Sequence, residues 1–251
     1  MMFLIGLLCG LVTGLISIGG GIFIIISLLL LTPVLAQKSF SMQEIASFSI
    51  MQTFFSSLSG SLFYLKEKLI SKEIALYLGI HSFFGGVIGV IIAHNISDFF
   101  LKIIFAILAV LAAIIMQIPH AINDSKSFKF TWKTRFYSII GGVSIGIIGG
   151  VIGIGAGFIF VPTFIYIYHL PLKKAIGTSL ITILLLSTGS FLTKINIATV
   201  PFELGIALII GGVIGAQLGG RLNKVFPPLI LKKVSSLFIV IVSLKVLYDL
   251  F

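Results

Sequence analysis

At 251 residues, 58% of them hydrophobic and only 10% charged, with a mean hydropathy of +1.24, the chain lies far from soluble globular domains, in which about a quarter of residues are charged. Its net charge of +10 would suggest nucleic acid in a soluble protein. Here the basic residues sit between apolar blocks and no basic run with interleaved aromatics occurs, so no nucleic-acid partner is expected. The single cysteine, Cys9, excludes an internal disulfide and a cysteine-based metal cluster.

In chain order, most apolar blocks are about 20 residues long, enough to cross a hydrocarbon core of roughly 30 Å, so the expected surroundings are a lipid bilayer. The N-terminal MMFLIGLLCG has no basic n-region and reads as a first membrane segment, not a signal peptide. The run 2–35 is unusual. As one helix it would measure about 51 Å, too long for one crossing and too short for two. Its Ser17-Ile18-Gly19-Gly20-Gly21 cluster divides it into two short arms, since glycine weakens a helix and permits a sharp turn. Either one long kinked helix or a re-entrant hairpin with its glycine tip near mid-bilayer satisfies that pattern.

Span 45–65 carries Ser49, Gln52, Thr53 and Ser56 on one helical stripe. Span 74–93 holds His81, an ionisable group deep in an apolar segment and a candidate carrier of a coupled proton. A neutral histidine bonded between helices is the plainer alternative. After span 99–118 comes the most polar stretch, NDSKSFKFTWKTR (123–135), which makes 119–135 a linker. The run 138–170 is broken at Gly153-Ile154-Gly155-Ala156-Gly157 much as 2–35 is broken. Spans 175–194, 202–220 and 229–250 complete the chain, and the first of these presents Thr178, Ser179 and Thr182.

An internal repeat orders these pieces. GLVTGLISIGGGIFI (10–24) aligns with GIIGGVIGIGAGFIF (146–160), SGSLF (59–63) with TGSFL (188–192), and GGVIG recurs at 85–89 and 211–215. Ser49 then aligns with Thr178 and Thr53 with Thr182. The repeats are 1–118 and 136–251. Gly6, Gly10 and Gly14 recur at helical spacing and are mirrored by Gly142, Gly146 and Gly150. Such small-residue faces let membrane helices approach closely.

Charge separates the two readings of the long runs. With single crossings the basic residues divide almost evenly. With re-entrant hairpins, one side keeps only Lys38, Lys102, Lys194 and Lys245, and the other 13 of the 17 Lys and Arg residues face the cytoplasm, a positive-inside pattern. The hairpin reading gives three crossings per half, inverts one half relative to the other, and puts both termini outside with the linker in the cytoplasm. Inverted halves would aim both glycine tips at the midplane. There the backbone N–H groups of Gly19, Gly20 and Gly21 and of Gly155, Ala156 and Gly157 would form an anion site. Ser49, Gln52, Thr53, Thr178, Ser179 and Thr182 would assist as hydrogen-bond donors, though Ser and Thr also bond their own helix carbonyls. Enzyme readings find no residues: there is no HExxH, no Asp within a span, no GxSG loop and no GxxxxGK[ST]. No enzymatic activity, cofactor or metal is expected.

GLVTGLISIGGGIFI, GIIGGVIGIGAGFIFVP, AIGTSLITILLLSTGSF (175–191) and GGVIGAQLGGRL (211–222) resemble the sulfite exporter TauE/SafE family of TSUP-type membrane permeases, over essentially the whole chain. The resemblance implies a permease of the bacterial inner membrane whose cargo is a small sulfur-containing anion such as sulfite, thiosulfate or a sulfonate. A carrier of another small organic anion and a non-transporting membrane scaffold are the alternatives, and assembly into a homo-oligomer stays open. The expected fold is all-α: two inverted repeats, each a glycine-broken re-entrant helical hairpin plus three transmembrane helices.

Overall fold

The computed structural model describes residues 1–17, 40–117, 131–197 and 202–227, together with residues 20, 21, 23–25, 27, 28, 230, 233 and 237. Most of span 229–250, most of the linker and Gly19 lie outside the described residues. The elements are helices: α1 (Met2–Ile16), α2 (Met42–Lys66), α3 (Lys72–His94), α4 (Asp98–Gln117), α5 (Trp132–Ile152), α6 (Gly157–Tyr166), α7 (Leu172–Ile197) and α8 (Phe202–Val225). Among the described residues there is no strand. Within α3, α5, α7 and α8, stretches of at least 18 residues are long and apolar enough to cross a membrane. The N-termini of α2 and α5 are fixed by capping boxes. Ser41 Oγ accepts from the Glu44 N–H while the Glu44 carboxylate accepts from the Ser41 N–H, and Thr131 and Thr134 repeat the exchange. The second-half helix thus begins at Trp132, four residues before the expected start of that repeat.

Both broken runs reverse direction. In the first half, α1 ends at Ser17 in the left-handed region (φ 54°) and residues 20 and 21 are helical again. A Cβ on Gly20 would stand 2.9 Å from the Cys9 carbonyl oxygen, so the chain has folded back along α1. In the second half, Gly153 (φ 78°), Gly155 (φ 75°) and Ala156 (φ 52°) are left-handed. The two glycines take that conformation without the Cβ penalty that Ala156 carries. The N–H groups of Gly153 and Ile154 both bond back to the Gly149 carbonyl, closing the end of α5. α6 then returns, and its far end is tied to the start of α5 by a hydrogen bond between Tyr168 Oη and Ser138 Oγ.

Glycine faces pair the halves crosswise. Gly6, Gly10 and Gly14 of α1 lie against Leu208, Gly212 and Ala216 of α8, and Gly142, Gly146 and Gly150 of α5 against Leu78, Ser82 and Gly86 of α3. Both pairs are parallel. α2 runs parallel to α8, with Met51 at Gly205 and Phe63 at Gly220, and antiparallel to α7, where Phe54 stacks on Phe191 and Tyr64 meets Gly177. α3 runs parallel to α7, from Gly79 at Leu185 to Phe83 at Gly189. Hence α1, α2 and α8 point one way, and α3, α5 and α7 the other. α1, α2 and α3 of the first half thus run opposite to their sequence counterparts α5, α7 and α8.

This arrangement sorts charge. The C-termini of α2 and α8 and the N-termini of α3, α5 and α7 share one end, which carries Lys66, Lys68, Lys72, Arg135, Lys173, Lys174, Arg221 and Lys224. Lys173 Nζ donates to the Lys224 carbonyl across it, and Lys224 pairs with Glu67 at 2.6 Å.

The helix contacts predict a sharp contrast between neighbouring glycines. A Cβ on Gly146 would lie 2.8 Å from Ser82 Cα, whereas one on Gly141 would meet nothing within 4 Å. Gly146→Ala should lower stability by about 1–3 kcal/mol, as overpacking does. Gly141→Ala should be neutral or add about 0.5–1 kcal/mol. Thermal unfolding in detergent micelles reads both, and equal effects would contradict the packing.

Candidate functional site at the glycine tips

The two breaks meet each other. A Cβ on Gly157 would collide with the Ser17 carbonyl oxygen, and one on Gly21 would stand 2.8 Å from Ile154 Cα. Helix α6 begins at this junction, so the unpaired N–H groups of its first turn and the positive end of its dipole are centred here. Ser17, Gly20, Gly21, Ile154, Ala156 and Gly157 are all buried.

Helices α2 and α7 wall the junction. A Cβ on Gly21 would lie 2.7 Å from Ser49 Oγ, and one on Gly155 would lie 2.7 Å from Thr53 Cγ2 and 3.0 Å from Ile183 Cγ2. Ile183 also packs on Gly157, and Ser17 Oγ donates to Ser179 Oγ at 3.1 Å. Three polar atoms along this stretch of α2 are fully buried without a hydrogen-bond partner: Ser49 Oγ, Thr53 Oγ1 and Gln52 Oε1. With the amide assigned this way round, Gln52 Nε2 donates to Ser56 Oγ at 2.8 Å. Buried polar groups are rarely left unpaired, and each omission costs free energy that a ligand can recover.

The aligned hydroxyls of α7 are arranged differently. Thr178 Oγ1 donates to the Lys174 carbonyl at 2.7 Å and accepts from the Ser71 N–H at 3.0 Å. Thr182 Oγ1 donates to the Thr178 carbonyl at 3.0 Å. Both stitch α7 to itself and to the start of α3. Ser179 reaches the junction through Ser17. His81 is half-buried on α3, where its Nδ1–H donates to the Tyr77 carbonyl 2.6 Å away and its ring lies beside Tyr77. Its described contacts are with α3 itself and Gly142 of α5, not with the tips.

Ser17 and Ile154, which the sequence places in the break clusters but not among the site residues, and Ile183 build the junction as directly as the glycines do. Ser17 carried a signal, as the residue at the break itself. Ile154 carried the same signal of position, whereas Ile183 carried none, being indistinguishable from other apolar residues. Every described side chain at the junction is neutral, so what the junction offers a ligand is dipoles and hydroxyls.

A family match covers residues 2–246, with the description Sulfite exporter TauE/SafE. A Bacillus subtilis protein named Probable membrane transporter protein YunE is 26% identical over 98% of this chain and 96% of its own length. YdhB of the same organism, also named a probable membrane transporter protein, is 27% identical over 98% of both chains. A third of that description, YfcA of Escherichia coli, is 22% identical over 99% of this chain and 89% of its own. No solved structure matches.

Stability should separate the two sets of hydroxyls. Ser49→Ala and Thr53→Val remove groups that make no bond in the unliganded protein, so they should leave its thermal stability unchanged or slightly higher. Thr178→Val strands the Ser71 N–H and should cost about 1–3 kcal/mol. A comparable loss for all three would mean the α2 hydroxyls are structural.

Proposed function

The chain belongs to the sulfite exporter TauE/SafE family, and from that premise we propose that it is a secondary permease moving a small sulfur-containing anion, such as sulfite, thiosulfate or a sulfonate, across the bacterial inner membrane. Membership in a family of membrane transporters, the full-length relatives and the four apolar helices support the permease reading. The observation that carries the anion is the cluster of unpartnered Ser49 Oγ and Thr53 Oγ1 at the junction of two glycine tips. An oxyanion entering a membrane protein loses its hydration shell and needs several donors at once. Two hydroxyls and the free N–H groups at the start of α6 provide them without a fixed counter-charge, so the anion is held but can leave.

The opposed directions of the corresponding helices support an inverted-repeat transporter, with the site where the repeats meet. Transport then proceeds by rocking of one repeat against the other, which exposes the tips alternately to each side. The basic end faces the cytoplasm by the positive-inside rule, with both termini and Lys38 on the opposite side. Backbone at the breaks is irregular, and at membrane depth that is tolerated only where it is enclosed by protein or lines a cavity.

Purified protein should be thermally stabilised by sulfite, thiosulfate or a sulfonate above the effect of matched chloride. The gain approaches about 2.7 kcal/mol at a hundred times Kd. Stabilisation by carboxylates alone would move the cargo to another anion class, and no stabilisation by any anion would favour a scaffold. The Ser49→Ala/Thr53→Val double variant should lose most of the response while remaining folded.

Orientation is tested separately in a Cys9→Ser background. A membrane-impermeant thiol reagent applied to spheroplasts should label Lys38→Cys and should not label Lys126→Cys. The reverse pattern would overturn the topology.

A further inference from the structure

We propose that Lys194, with Ser190 one turn before it, forms a second anion site leading from the end of the bundle opposite the basic face toward the glycine tips. This rests on the permease reading and adds to it the group that draws the anion in. Lys194 lies on α7 three residues before that helix ends, yet it is only 4% exposed. No hydrogen bond or ion pair holds it among the described residues, whose one ion pair, Lys224–Glu67, is at the basic end. Ser190 is 1% exposed and its Oγ has no partner. A lysine near a helix end ordinarily snorkels, burying its stem and presenting its ammonium to water. At 4% exposure Lys194 is far more enclosed than a snorkelling lysine at a helix end, and its ammonium has no protein partner among the described residues.

Register connects this pair to the tips. Ile183, Ser190 and Lys194 are seven and eleven residues apart, close to two and three whole turns, so they share one face of α7. Ile183 is the residue that packs on Gly155 and Gly157. The face that touches the tips therefore continues through an unpaired hydroxyl to an unpaired ammonium, roughly 16 Å away along the axis. Phe191, on the same turn as Ser190, stacks on Phe54 of α2, which sets this stretch beside the Ser49–Thr53 segment.

The repeat gives a second argument. SGSLF (59–63) aligns with TGSFL (188–192), so Ser190 corresponds to Ser61 and Lys194 to Leu65. Ser61 Oγ is bonded to the Leu58 carbonyl and Leu65 is 38% exposed. The fold's repeated packing is thus satisfied by a leucine where the second half has a lysine. A small oxyanion suits this pair in chemistry: one oxygen would accept from the ammonium and another from the hydroxyl, and its charge would balance the lysine.

Sulfite titrations of the purified full-length protein, read by calorimetry and by thermal shift, test this with Lys194→Met and Lys194→Arg. Lys194→Met should weaken sulfite binding at least about tenfold, the smallest loss expected of a charge-assisted hydrogen bond. Its melting temperature without sulfite should hold or rise, because an unpaired buried charge has gone. Lys194→Arg should stay within about threefold of wild type, since the charge remains. Wild-type affinity in Lys194→Met would overturn the second site and leave the permease reading standing. A lower melting temperature in both variants would make Lys194 structural and also overturn it. If the wild type itself binds no anion, the permease reading fails first and this inference falls with it.

Discussion

Backbone lying directly against backbone is the constraint on which this molecule depends. Where Gly10 faces Gly212, or Gly150 faces Gly86, the carbonyl oxygen of one helix rests on the Cα of the other and no side chain intervenes. Inside a membrane, helices gain little from the hydrophobic effect against one another, so close van der Waals contact has to hold them. Two such glycine seams, α1 with α8 and α5 with α3, fix the positions of the first arms of both hairpins. The second arms then have only one place to turn, and Ser17 and Gly157 are brought into contact.

That contact solves a problem of polarity. A chain that breaks its helix in mid-membrane frees N–H and C=O groups that lipid cannot satisfy. Pressing the two breaks together and walling them with α2 and α7 removes lipid from the junction. Some groups are then satisfied internally, as by the paired bonds to the Gly149 carbonyl and the Ser17–Ser179 bond. Others, on Ser49, Gln52 and Thr53, are left open. The division between closed and open groups marks the proposed anion site more clearly than residue type does, since serine and threonine occur on both sides of it.

Much of the architecture was legible in the sequence because its causes are local. Glycine clusters inside apolar runs mark breaks, and five of the six ordinary spans agree with helices α2, α3, α4, α7 and α8 to within a few residues. Charge placement pointed to the re-entrant reading, since only re-entrant arms gather the lysines at one end. What was not legible depends on neighbours far along the chain. Thr178 aligns with Ser49, yet it lies against the loop before α3 and is consumed by the Ser71 N–H. The glycine spacing showed that α1 and α5 each carry a packing face, but not that each face belongs to a helix of the other half. Lys194 read as an ordinary lysine near a span end, because burial leaves no trace in composition.

The crosswise pairing has a consequence for biosynthesis. The glycine seam of α1 is completed only when the ribosome has reached α8, which begins at Phe202. At about 5–20 residues per second, the wait is on the order of ten to forty seconds. During it, α1 is in the bilayer with a notched, side-chain-poor face turned to lipid and its hairpin unsupported. Neither half closes its own seam, so a nascent first half has no finished fold to adopt. Translation speed and the insertion machinery therefore act on this protein in a way they do not on one whose halves mature in turn. A ribosome stalled in the second half would leave in the membrane a fragment that quality-control proteases can recognise by its open seam.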